Sequence, residues 1–212
     1  MGRISRKGPL AWLTRGKLRN ITRLTGTHFD AIVTDRAAAY RERSIVTASG
    51  KERTLHVPNK ELKLAQRLLL SRVLRRLHPH DSTACVRGRG IHWVHKRHAG
   101  HPTLLQLDLA DFFPAVREDM VLEGFSRLGA SPEVSRLLAG LTTLEEQLPQ
   151  GAPTSVAIAD LVLYPLDVRL AGLAMKSGAG FTYSRYVDDL TLSGGRRIAS
   201  FESHVRQIVA AL

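Results

Sequence analysis

"FTYSRYVDDLTLSG", residues 181–194, sets two carboxylates side by side, Asp188 and Asp189, between runs that otherwise read as β-strand. Successive side chains on a strand point to opposite faces, so an Asp-Asp pair in mid-strand would drive one carboxylate into the core, where an unpaired charge is very costly. A hairpin tip avoids this. Tyr183 to Val187 and Leu190 to Ser193 are rich in aromatic, β-branched and apolar residues, and two residues is the commonest hairpin loop length, with Asp among those that tolerate its dihedrals. The expectation is a hairpin whose loop is Asp188-Asp189, both carboxylates projecting from one end of a sheet. At about 5 Å two such charges repel by roughly 3 kcal/mol at an effective dielectric near 20, so something positive should sit beside them. An ordinary solvated Asp turn is written with the same two letters, and other carboxylates must decide between the readings.

The deciding candidate lies in "TLLQLDLADFF", residues 103–113, a buried-type strand interrupted by Asp108 and closed by aromatics and Pro114. A strand that charges only at its end presents that charge at a sheet edge, where the active sites of sheet proteins gather. If it lies beside the hairpin, Asp108, Asp188 and Asp189 converge. Such a cluster would bind two hard divalent cations, Mg2+ with Mn2+ as an alternative, at about 4 Å separation, the arrangement used for in-line phosphoryl and nucleotidyl transfer.

At 212 residues and 43% hydrophobic content the chain can bury a sizeable core as one large domain or two small ones. Its single cysteine, Cys85, excludes an internal disulfide and any cysteine-cluster metal site. No stretch approaches membrane-span length, and "PLAWL" is too short for a signal-peptide core, so a soluble, cytoplasmic protein with no membrane partner is expected. The net charge of +12 is unevenly spread: residues 1–99 hold 22 Lys and Arg against 6 Asp and Glu, residues 100–212 hold 9 against 13. A polyanion such as nucleic acid is the natural counterpart of the basic half.

Residues 1–24, with seven basic residues and no acidic one, read as a mobile or nucleic-acid-contacting arm. "HFDAIVTDRAAAYRERS" reads as a helix, and "RERSIVTASGKERTLHVP" as two strands joined by a Ser-Gly turn and ended by Pro58. "NKELKLAQRLLLSRVLRRLHP" is an amphipathic helix with Asn59 as N-cap, Leu62, Leu69 and Val73 on its apolar face and Pro79 as its stop. "VRGRGIHWVHKRHAGH" reads as a basic connector. Its histidines 92, 95 and 98 invite a zinc reading, but no further ligand set supports it and Arg and Lys crowd the segment. Helices are expected over about 117–128, ended by Gly129, and from Ser131 and Pro132 onward. After the Gly-Pro turn of "LPQGAP" comes one long apolar helix kinked near Pro165, and "ASFESHVRQIVAAL" closes the chain as a helix.

Four stretches also resemble, in order, the reverse transcriptases, specifically their bacterial retron-like branch. "YVDD" at 186–189 resembles the Tyr-x-Asp-Asp box, "LDLADFF" at 107–113 the first carboxylate motif of the palm, "LPQGAPTS" at 148–155 the primer-grip and nucleotide-pocket motif, and "GKERTLHVPNKELKLAQR" at 50–67 the fingers segment. The resemblance runs from about Tyr40 to Gly194. It implies an α+β fold of reverse-transcriptase fingers and palm, with an antiparallel palm sheet packed on helices: a basic N-terminal arm at 1–24, a fingers-like region at 25–102 and a palm at 103–212. It also implies an RNA-directed DNA polymerase that adds dNTPs to a primer 3'-hydroxyl. Asp108, Asp188 and Asp189 would be its catalytic, metal-binding carboxylates, with the Leu109 carbonyl as a further ligand. Phe113 would lie under the incoming sugar and exclude a 2'-hydroxyl, Gln150 and Gly151 would line the pocket over the nucleotide, Arg53 would grip the triphosphate, and the Asp111 backbone amide would shape the triphosphate site. Tyr186 would support the primer end or simply pack in the sheet. The implied partners are an RNA template, a DNA or RNA primer, dNTPs, and a structured non-coding RNA or a complementing protein chain, in a setting of anti-phage defence.

The match departs in places. Where retron-type enzymes carry Asn-Ala-x-x-His, "VHKRH" supplies His98 but places Val94 where Asn is expected, and Val156 replaces the usual Pro after "PTS". The 18 residues after Gly194 are too few for a thumb, so a fragment, a truncated gene or half of a split enzyme is expected, with a weak grip on duplex. The competing readings are a non-catalytic RNA-binding or maturase-like palm module and, with less to support it, a palm-fold nucleotide cyclase.

Overall fold

The computed structural model describes residues 8–47, 50, 52–77, 79–176 and 180–211. In chain order its helices are α1 (Arg15–Thr22), α2 (Gly26–Thr34), α3 (Lys60–Arg72), α4 (Ile91–His98), α5 (Phe112–Ala115), α6 (Glu118–Arg127), α7 (Pro132–Thr142), α8 (Ser155–Val162), α9 (Tyr164–Lys176) and α10 (Glu202–Ala210). The strands are β1 (Tyr40–Val46), β2 (Glu52–Pro58), β3 (Thr103–Asp108), β4 (Thr182–Tyr186) and β5 (Asp189–Gly194). The chain divides into two compact units that interleave along the sequence, Met1–Leu77 with Phe113–Val162, and His78–Phe112 with Leu163–Leu212. The expected α+β class holds: helices surround a two-stranded hairpin in the first unit and a three-stranded antiparallel sheet in the second.

In the first unit the stretch expected to be an arm is folded from Gly8 onward. Leu10, Leu13 and Leu18 are buried, the Leu10 N–H donates to the Leu128 carbonyl at 2.9 Å, and the Thr14 hydroxyl caps α1 by accepting from Lys17 N–H. The basic residues at 15, 17, 19 and 23 occupy the exposed side, so the charge count concealed an amphipathic helix. Residues 1–7 of that expected arm lie outside the described residues. The helix expected over 28–44 ends at Thr34, because the Asp35 carboxylate takes the Ala38 N–H at 3.3 Å and opens a short 3-10 turn into β1. β1 and β2 pair from Tyr40 with Pro58 to Val46 with Glu52; of the expected Ser-Gly turn, Ser49 lies outside the described residues and Gly50 takes φ +80°. Asn59 caps α3 through the Leu62 N–H at 2.9 Å, and Leu62, Leu69 and Val73 are buried as read. The helix nevertheless stops at Arg72, with Val73 as its C-cap and a short 3-10 turn, Leu74–Arg76, following it before Pro79. Ser131 caps α7 through the Val134 N–H at 3.3 Å with Pro132 at its first position.

The second unit holds the sheet, ordered β3-β5-β4. Three expectations are corrected in and around it. The basic connector contains a helix, α4, whose Val94 and His98 face inward; its short apolar content hid the period. The long apolar helix is two, α8 and α9, with the break at Leu163 and Pro165 in the first turn of α9, where a missing N–H costs nothing. β3 is also no fully buried strand: Leu104, Gln106 and Asp108 are exposed in alternation, as befits an edge strand with one open face. The final helix, α10, follows a 3-10 segment, Arg196–Phe201. Glycine is required at 194, where a Cβ would stand 2.4 Å from the Phe181 ring that packs edge-on against Phe201.

Candidate active site

The hairpin that motivated the reading is displaced by one residue. Tyr186 pairs with Asp189, so the two-residue turn is Val187-Asp188 and Asp189 is the first residue of β5. Mid-strand burial of a carboxylate is avoided all the same, because β5 begins at the sheet end and Asp189 is exposed there. The shift has a visible cause in the turn's anchors. Val187 N–H donates to Cys85 Sγ at 3.2 Å, its carbonyl accepts from Arg185 Nη1 at 2.9 Å, and the Asp188 carbonyl accepts from Leu109 N–H at 3.2 Å. These hold Val187 at φ +56°, a conformation that a β-branched residue adopts only under constraint, at a cost on the order of 1–3 kcal/mol.

Asp108, the last residue of β3, stands directly opposite Asp189 in the β3–β5 register, and such partners have Cα atoms about 4.5–5.5 Å apart. The two strands and the turn thus bring Asp108, Asp188 and Asp189 to one end of the sheet. Their proximity is felt electrostatically: the Asp189 carboxyl titrates above the usual carboxylate range, through partial desolvation first and then through the charges of Asp188 and Asp108. By the two-residue period, Asp108, Gln106 and Leu104 share a face with Asp189, Thr191 and Ser193 of β5 and with Tyr186, Ser184 and Thr182 of β4. α4 covers part of this face. His98 bridges Ser193 Oγ at 2.6 Å and Ser184 Oγ at 2.7 Å, which commits both ring nitrogens and removes His98 from any zinc set. Burial, with Arg97 and His101 nearby, lowers its pKa to about 4, so it is neutral at pH 7.

Three carboxylates at one sheet end are the donor set a hard cation selects. Among the described residues no three His, Cys, Asp or Glu side chains already surround a common point. A cation shared by all three would require their side chains to turn toward a common point, and Asp108 and Asp189 are exposed at that sheet end.

The other expected residues are placed as follows. Asp111 is exposed at φ +46°, in the second unit, just after β3. Phe113 is half-buried at the start of the returning stretch of the first unit. Within the first unit the structure brings Gln150 and Gly151 against β2, the strand that carries Arg53: the Gln150 carbonyl accepts from His56 N–H at 2.8 Å, and Gly151, at φ +109°, leaves room for Leu55 and the His56 carbonyl, 3.4 and 3.5 Å from where a Cβ would be. Arg53 projects exposed from the same strand, three residues before His56.

Sequence reading missed the support behind the turn. Arg185 and Tyr183 lie on the opposite face of β4 from the carboxylates. Both bond to Asp167 of α9, Arg185 through Nε at 2.9 Å and Nη2 at 2.8 Å and Tyr183 through its hydroxyl at 2.8 Å. Arg185 and Asp167 are fully buried, and burial beside the Asp167 charge pushes the Tyr183 phenol well up. The outer edge of β4 is held by residues 82–84, through Arg185 N–H to the Ser82 carbonyl at 3.0 Å and Ala84 N–H to the Arg185 carbonyl at 2.8 Å, which delivers Cys85 to the turn. The only sequence signal was a lone acid in the apolar run "LYPLDVRL" and a lone cation in "TYSRYV".

A fold of this kind, with acids paired across an antiparallel sheet end, is a palm-type scaffold. Residues 41–212 match the family model described as reverse transcriptase (RNA-dependent DNA polymerase), and the chain belongs to that family. It is 38% identical over 180 residues to the retron Mx65 reverse transcriptase of Myxococcus xanthus, covering 76% of this chain and 42% of the relative. It is 36% identical over 142 residues to the retron Ec86 reverse transcriptase of Escherichia coli, covering 66% and 44% respectively. The chain thus spans less than half the length of these curated relatives. Among solved structures, telomerase from Candida albicans in complex with a fragment of telomeric RNA superposes with a TM-score of 0.57 at 10% identity, over 81% of this chain and 40% of that one, a likeness of fold. No helix among the described residues is long and apolar enough to cross a membrane.

Proposed function

We propose that this chain is the fingers and palm portion of a retron-type RNA-directed DNA polymerase, and that Asp108, Asp188 and Asp189 are its catalytic carboxylates. The observation that carries the reading is the pairing of Asp108 with Asp189 across β3 and β5, with Asp188 in the adjoining turn. Two divalent cations, Mg2+ or Mn2+, held by these three side chains would lower the pKa of the primer 3'-hydroxyl and neutralise the triphosphate and leaving pyrophosphate. The chain's own residues do the rest. The Arg53 guanidinium offers a fork of donors to phosphate oxygens. In this reading the Asp111 backbone N–H would shape the triphosphate site, the Phe113 ring would lie under the sugar and leave no room for a 2'-hydroxyl, and the Gln150 amide and the Gly151 backbone would hold sugar and base. The division into fingers at 25–102 and palm at 103–212 belongs to this reading, although by compactness α4 goes with the carboxylate-bearing sheet.

An RNA template, a DNA or RNA primer and dNTPs are the partners this reading requires, and the resemblance to retron-type enzymes extends the proposal to a structured RNA partner and a role in anti-phage defence. Primer extension on an RNA template with Mg2+ and dNTPs tests it, with Asp188→Asn abolishing the product. Equal product from both proteins removes the assignment. Salt-sensitive RNA binding without extension, indifferent to Asp108→Asn, would establish a non-catalytic RNA-binding palm instead.

A further inference from the structure

The buried ion pair behind the sheet is poorly explained by stability alone. Removing two charges from water is costly, and well-packed apolar residues fill such sites at least as favourably. The geometry of Arg185 shows what apolar residues would lack. Its guanidinium is pinned on one side by both oxygens of Asp167, at 2.9 and 2.8 Å, and Asp167 is itself held by the Tyr183 hydroxyl at 2.8 Å. With that side fixed, Nη1 is aimed at the Val187 carbonyl, 2.9 Å away. The Val187 carbonyl and the Asp188 nitrogen belong to one rigid peptide plane. Holding the carbonyl therefore fixes where the Asp188 Cα stands, and because the next plane is held by the Leu109 N–H on the Asp188 carbonyl, at 3.2 Å, the direction in which the Asp188 side chain leaves the turn is set between two anchored planes.

We propose that Arg185, braced by Asp167 of α9, is a positioning residue that sets the Asp188 carboxylate. The consequence for metal binding rests on the two-metal reading above; the strut itself does not. Lysine cannot substitute, because a point charge that pairs with Asp167 has no second, rigidly directed donor for Val187. Val187 sits at φ +56°, so the turn relaxes once the bond is lost, and displacements near 1 Å at a reacting centre cost on the order of 100-fold.

Two variants of the full chain separate positioning from folding. Arg185→Lys keeps the charge pair, whereas Arg185→Met with Asp167→Asn removes both charges and leaves an acceptor for Tyr183. Amide hydrogen exchange across residues 186–189, without metal or nucleotide, should be about tenfold faster in both variants, the worth of one lost hydrogen bond, while the melting temperature falls by no more than about 4 °C and exchange in β3 stays as in the wild type. Mn2+ affinity, followed by electron paramagnetic resonance, should fall about tenfold or more in both. Turn exchange within about twofold of wild type in both variants, or faster exchange with Mn2+ affinity unchanged, overturns the proposal. Asp188→Asn is measured in parallel: should it bind Mn2+ as the wild type does, the two-metal reading fails by itself, and the exchange rates alone still decide the strut.

Discussion

The β1–β2 and β4–β5 hairpins follow the same antiparallel pairing and meet opposite surroundings. Along β1 and β2 only Pro58 is buried, and Arg41, Arg43 and Arg53 alternate in solvent with Glu42 and Glu52. Along β4 and β5 every residue from Tyr183 to Arg185 and from Leu190 to Gly194 is buried, and Tyr183, Ser184, Arg185 and Ser193 each bond to a side chain outside the hairpin. In the first hairpin Tyr40, Leu55 and His56 pack against neighbours, but the charged side chains from Arg41 to Arg43 and at Glu52 and Arg53 stand in solvent, so their chemistry is available to a partner. In the second each side chain is committed to a neighbour, so substitutions are transmitted to the turn.

That contrast can be broken most directly by changing one residue of each hairpin. Asp189→Asn should lower primer extension by about 1,000-fold or more, because metal-assisted charge stabilisation is worth several kcal/mol at 1.36 kcal/mol per decade. The same change should leave the protein as stable or slightly more so, by about 0.2–1 kcal/mol in a denaturant titration, since it removes a like charge directly across from Asp108. The sign follows from Asp189 itself: its folded pKa is raised, so its contribution to stability is present at low pH and is lost as pH rises through the carboxylate range. Arg53→Ala should raise the KM for dNTPs by about 10- to 100-fold, the worth of a charge-assisted hydrogen bond, without moving the melting temperature. A large loss of stability in Arg53→Ala would show that the exposed hairpin is packed after all.

The buried hairpin also predicts a pH response. His98 has its pKa lowered to about 4, so its contribution to stability is present above the unfolded histidine value of about 6.5 and is lost as pH falls toward 4. Denaturant titrations between those pH values should show a decline that flattens in His98→Gln, by up to roughly 3 kcal/mol. The smallest expected effect is at the turn: Val187→Asn, better suited to positive φ, should stabilise by about 1 kcal/mol. An unchanged or lower stability would mean the Val187 side chain contributes packing that outweighs its strain.

Much of this was legible in the letters. Asp188-Asp189 could not sit in mid-strand, Asp108 closed an apolar run, and Asn59, Ser131 and Pro132 announced their helices. The turn was misplaced by one residue because its position is set by Arg185, Cys85 and Leu109, two of them distant in sequence. Tertiary partners overrode the local preference for Asp in the loop. α4 was hidden because its inward residues are few, Val94 and His98, among exposed cations. The Arg185–Asp167 pair was invisible for the opposite reason: each residue looks ordinary until the fold brings them together.

The β3–β5 register has a consequence for synthesis on the ribosome. β3 is complete at Asp108, yet its partner begins only at Asp189, about 80 residues later. At typical elongation of about 5–20 residues per second, the nascent strand waits roughly 4 to 16 s with an unpaired edge bearing Leu104 and Leu105. A chaperone that shields that edge during the interval would therefore raise the yield of protein more than it raises the final stability.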